Sequence, residues 1–80
     1  MMKTYLVEVT FTDRARRELG LPYSCKTYET AESKKNVLLY RKKQVLDQIQ
    51  KHTGTGYQPR YIISKIEAEL VKWCEYYGRL

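Results

Sequence analysis

Residues 30–52 read TAESKKNVLLYRKKQVLDQIQKH, and residues 53–56 follow as TGTG. No Pro or Gly interrupts the first run. Leu38, Val45 and Ile49 recur at helical spacing, with Ala31, Leu39 and Leu46 widening the apolar stripe. The Thr30 hydroxyl is placed to accept an orphan N–H of a first turn, and Glu32 would sit where the helix dipole favours an anion. At the far end Lys51 and His52 suit the negative pole, and Gly54 suits the left-handed residue that closes a helix. This pattern predicts one long helix over residues 30–52, against which the rest of the chain must pack.

Two extended stretches precede it. Between Lys3 and Phe11, residues Tyr5, Val7, Val9 and Phe11 would share one face of a strand, with Thr4, Glu8 and Thr10 on the other. Leu6 departs from the alternation, so part of the second face is expected to be covered. Thr12 as N-cap, Asp13 in a first turn, Gly20 as stop and Pro22 beyond it mark a short helical turn. Residues 23–29 read as a second strand. Only eleven residues separate the two strands, which is marginal for a parallel crossover. An antiparallel pair with a helical insert in its connection is the expected arrangement.

The stretch after TGTG, residues 57–78, reads YQPRYIISKIEAELVKWCEYYG and admits two windings. As a helix it gathers Ile62, Ile63, Ile66, Leu70, Trp73, Cys74 and Tyr77 into one arc, leaves Lys65, Glu69 and Lys72 outside it, and stops at Gly78. As a strand it puts Ile62, Ile66, Ala68 and Leu70 on one face and Lys65, Glu67 and Glu69 on the other. A third strand would also relieve a weak two-stranded sheet. The helix accounts for more residues. The expected fold class is therefore α+β: a small antiparallel sheet of two or three strands packed against one long central helix. The C-terminal segment is a second helix or, in the alternative, a third strand giving ββαβ. Eighty residues hold one compact domain, residues 1–80.

Fifteen Lys and Arg against nine acids give a net charge of +6, and the excess is uneven. Residues 31–60 carry seven bases and two acids, whereas residues 61–80 balance at three of each. Such a field suits a polyanion, either nucleic acid or an acidic protein surface. Cys25 and Cys74 are too few for a disulfide scaffold, the N-terminus has no apolar run of signal length, and no segment approaches a membrane span. A cytoplasmic protein with free thiols, no membrane contact and an open oligomeric state, homodimer included, is expected.

Catalytic sets are missing from the pattern. His52 is the single histidine and sits at a helix end, so no nucleophile–base pair or zinc set forms with the two distant cysteines. The glycines of TGTG follow a helix rather than precede one, so they face its negative pole and suit a cap, not a phosphate cradle. No catalytic residue, cofactor or metal is expected.

The remaining signal is basic and aromatic. Tyr40-Arg41-Lys42-Lys43 and Tyr57-Gln58-Pro59-Arg60-Tyr61 interleave rings with cations, which suits stacking on bases beside contacts to phosphates. Arg14, Arg16 and Arg17 add a second basic run, and Lys34 opens the long helix. On the helical wheel Lys34 and Arg41 flank one side of the apolar face, Lys35 and Lys42 border the other, and Lys43 and Lys51 point away. The expected binding residues are Arg14, Arg16, Arg17, Lys34, Tyr40, Arg41, Lys42, Lys43, Tyr57 and Arg60. The expected function is non-enzymatic binding of nucleic acid through its phosphate backbone. The alternative is a protein-binding module or inhibitor, such as a virus- or mobile-element-encoded accessory protein that blocks a host protein, since Tyr and Arg also dominate protein interfaces.

Overall fold

The computed structural model describes residues 2–72. In chain order the elements are β1 (Lys3–Phe11), α1 (Asp13–Leu19), β2 (Ser24–Ala31), α2 (Lys34–Thr53), α3 (Pro59–Ile62) and β3 (Ile63–Leu70). β1 is the centre of a three-stranded sheet of order β2-β1-β3, antiparallel to both neighbours. This is the expected α+β class, a small antiparallel sheet against one long helix.

β1 follows its alternation: Tyr5, Val7, Val9 and Phe11 are buried, and the residues between them are half-buried. Register puts Cys25 opposite Val9 and Thr27 opposite Val7 on the inward face, with Ile66 and Ala68 opposite the same two valines from β3. α2 packs across this face. The opposite face carries Leu6, Glu8 and Thr10, flanked by Lys26 and Tyr28 on β2 and by Lys65, Glu67 and Glu69 on β3. α1 is the helical insert of the β1–β2 connection. Thr12 caps it, accepting from the Ala15 N–H, and Gly20 closes it at φ 68°.

The start of α2 differs from expectation. Thr30 and Ala31 belong to β2, where Thr30 pairs with Thr4 and Ala31 with Lys3. Ser33 is the N-cap instead, accepting the Asn36 N–H at 3.2 Å, and Glu32 precedes the helix. A hydroxyl three residues on does the same capping and frees the earlier residues for sheet hydrogen bonds. Gly54 closes α2 at φ 74° as expected.

The buried row of α2 is Val37, Arg41, Val45 and Ile49. Val45 and Ile49 match the expected stripe. Leu38 and Leu46 are half-buried, and Leu39 is exposed. The stripe is turned because Arg41 lies inside it.

The C-terminal segment is corrected as well. Among the described residues of this segment helix is confined to the single turn Pro59–Ile62, and Ile63–Leu70 is the third strand of the alternative. The physical reason is a bulge. Lys65 pairs with Thr10 but Ile63 with Phe11, so Ser64 is an extra residue in β3 and donates its hydroxyl to Thr10 O at 3.1 Å. The bulge lets Ile63 and Ile66, three apart, both face the core, and that spacing imitates a helix. Trp73, Cys74 and Tyr77 of the expected helix lie outside the described residues.

Two apolar clusters fill the space under α2. One joins Val9, Phe11, Ala15, Val45, Ile49, Ile62 and Ile63, and the other Tyr5, Val7, Ala31, Val37 and Ala68. Arg41, one turn from both Val37 and Val45, lies between them.

Candidate nucleic-acid interface

The turn Pro59–Ile62 is held at a fixed place against β1 and α1. The Thr12 N–H donates to Ile62 O at 2.9 Å, and the Thr12 hydroxyl donates to Tyr61 O at 2.7 Å. Fully buried Ile62 anchors the turn from beneath. These constraints carry Arg60 to the end of β3, beside the middle of α2.

There Lys42 of α2, Arg60 of α3 and Lys65 of β3 line one groove of about 550 Å³, with Gln58 and Ser64 as neutral polar groups and Ile63 and Ile66 as its apolar floor. No carboxylate lines it. Lys65 reaches Glu67 Oε1 at 3.0 Å, an exposed pair whose hydrogen bond raises the Lys65 pKa. Among the described residues, Lys42 and Arg60 enter no ion pair. The groove thus brings together two cations that enter no ion pair, Lys42 and Arg60, with Lys65 at its rim, where the Lys65 ammonium is paired with Glu67 on the other face of the sheet.

The neighbouring groove, about 420 Å³, continues along β3. Lys34 and Leu38 face it from α2, but Glu67 and Glu69 line it too, so its charge is mixed. With the buried row centred on Val37 and Arg41, Lys34 and Lys42 both come to the β3 side, not to opposite flanks as the wheel suggested.

The other expected residues are dispersed. Arg14 Nε donates to Glu18 Oε1 at 3.1 Å, and its guanidinium lies 4.7 Å from the Tyr61 ring centroid. Tyr61 donates its hydroxyl to Glu18 Oε2 at 2.6 Å and stacks on Tyr57 at 5.3 Å between centroids. The Tyr61 hydroxyl and then Arg14 hold the Glu18 carboxyl below its ordinary pKa. The same bond, in which neutral Tyr61 is the donor, raises the Tyr61 pKa, and the Glu18 carboxylate raises that of Arg14. Tyr57 is therefore occupied within the molecule. Arg16 pairs with Asp13 and covers the Tyr23 ring at 4.9 Å. Arg17, Tyr40 and Lys43 are exposed away from the groove.

Arg41 stands as a correction. Its side chain is 6% exposed, with a hydrogen bond to Gln44 Oε1 and a contact at 3.8 Å to Cys25 Sγ. A guanidinium in that position is part of the interior and is not presented to a phosphate.

Of the ten residues expected from sequence, the groove unites Lys42 and Arg60. It adds Lys65, Gln58 and Ser64, which sequence reasoning missed. The helical winding left Lys65 outside the apolar arc and the strand winding put it on the polar face with Glu67 and Glu69, so neither set it at the groove. Among the described residues no helix is long and apolar enough to cross a membrane. Comparison with protein-family models, with curated proteins and with solved structures found no match to this chain.

Proposed function

We propose that this protein is a non-enzymatic binder of nucleic acid that grips the phosphate backbone at the Lys42–Arg60–Lys65 groove. The observation that carries the reading is the meeting of Lys42 and Arg60, neither in an ion pair among the described residues, on one groove without a lining carboxylate and with Lys65 at its rim. Lys and Arg donors at such a groove neutralise phosphates and release condensed counterions, with no reading of sequence.

Mobility shift on duplex DNA, single-stranded DNA and RNA tests this. With about three phosphate contacts, affinity for duplex DNA should fall with salt at a log–log slope of roughly −3. Lys42→Gln, Arg60→Gln and Lys65→Gln together should flatten that slope toward zero and weaken all sequences alike. Lys35→Gln with Lys43→Gln, on other parts of α2, should change it much less. Absence of binding to all three nucleic acids at low salt would sink the reading.

A second reading, binding of a protein partner that the chain would inhibit or assist, is favoured by one observation: β2 and β3 are the two outer strands of an open sheet, each with an outer edge. It expects a nuclease-resistant complex with a single protein and no salt-dependent shift of bare nucleic acid.

A further inference from the structure

Arg41 is the one buried charged side chain among the described residues. A guanidinium taken out of water is costly unless an anion and enough acceptors receive it. Here Gln44 Oε1 accepts one hydrogen bond, and Cys25 Sγ lies 3.8 Å from the other terminal nitrogen. No carboxylate among the described residues pairs with the cation, and its buried Nε has no partner. Thr27, two residues from Cys25 on the same inward face of β2, also has a buried hydroxyl without a partner. A buried cation with an idle donor therefore lies against a free, half-buried thiol, which by itself is only a weak acceptor, and a second idle donor stands two residues along the same strand face.

We propose that Cys25 is an oxidative modification site, and that its sulfinate is the anion which the Arg41 guanidinium and the Thr27 hydroxyl are arranged to receive. The oxidant is a peroxide. The sulfur attacks one peroxide oxygen; an S–O bond forms as the O–O bond breaks, and the departing hydroxide takes the thiol proton and leaves as water. A second peroxide repeats the step on the sulfenic acid. One thiol and two hydrogen peroxide molecules thus give one sulfinic acid and two waters, with sulfur oxidised and peroxide reduced. Loss of the acid proton to solvent leaves a negative group with two strong acceptor oxygens beside Arg41. The position of Cys25 on an outer strand, half-buried rather than sealed, gives peroxide access.

The test uses the full chain carrying Cys74→Ala, so that Cys25 is the sole thiol. Hydrogen peroxide treatment, peptide mass mapping and thermal melting are read together. Two oxygens should appear on Cys25, and the melting temperature should rise by about 5 °C, the scale of one added favourable interaction in a domain of this size. With Arg41→Met added, the same oxidation should lower the melting temperature, because the buried anion then has no counter-charge. A Cys25→Ala control removes any contribution from methionine oxidation. If Arg41→Met does not fold, Thr27→Val replaces it and should reduce the rise. An unmodified Cys25, a fall in melting temperature with Arg41 and Thr27 intact, or an equal rise in the variants would overturn the assignment.

Discussion

Val37 and Leu38 are neighbours on α2 with opposite surroundings. Val37 is fully buried in the cluster with Tyr5, Val7, Ala31 and Ala68, while Leu38 is half-buried at its margin. Periodicity centred on apolar residues alone selects Leu38, because a row through Val37 must also contain Arg41. The structure accepts that row. Val37→Ala is expected to cost about 2 kcal/mol, two methyl-sized groups at roughly 0.8 kcal/mol each plus a cavity term. Leu38→Ala should cost clearly less despite removing more atoms, because the surface it vacates is already partly wet. Thermal or urea unfolding of the two variants decides the order. A larger loss for Leu38→Ala would put the helix on the other rotation.

At the scale of elements, α1 and the α3 turn are clasped by Arg14, Glu18 and Tyr61. The Glu18 pKa is lowered, so the stabilisation tied to its charge is present above the ordinary value of 4.5 and is lost as pH falls through the lower folded value. The Tyr61 pKa is raised, so its share is present below the ordinary 10.0 and is lost as pH rises through the higher folded value. Tyr61→Phe keeps the stacking on Tyr57 and removes the hydroxyl. Its melting temperature should lie below that of the wild type between those limits and converge on it at both extremes. A constant offset at every pH would mean that the Tyr61–Glu18 bond contributes nothing. The exposed position of the clasp keeps the effect small. Thr12 holds the same turn through its hydroxyl bond to Tyr61 O, so Thr12→Ala is expected to weaken the groove as well as the α1 cap. It should cost about 1 kcal/mol for the cap and reduce nucleic-acid affinity while all three groove cations remain.

Among the described residues the molecule is one open sheet with α2 on one face, and β2 and β3 have no further strand beside them. β3 places Lys65, Glu67 and Glu69 on the face away from α2, next to its edge. Charges there discourage edge-to-edge pairing with another copy. Glu67→Val combined with Glu69→Val should therefore produce self-association that grows with concentration, seen by light scattering. An unchanged particle size would show that those charges do not guard the edge.

The alternation of β1, the caps Thr12, Gly20 and Gly54, and the uninterrupted run of α2 are local signals, and each was legible in the sequence because its cause lies within a few residues. The antiparallel pairing of β1 with β2 followed from the short connection between them. The tertiary structure alone decided the rest. Ser64 bulges only because β3 lies against β1, and that extra residue turns a helical-looking spacing of isoleucines into a strand. Arg41 is interior only because its neighbours Val37 and Val45 are drawn onto the sheet, and the helix carries the charge in with them. Lys42 and Arg60 are far apart in the chain, and only the docking of the Pro59–Ile62 turn between α1 and β3 brings Arg60 to Lys42.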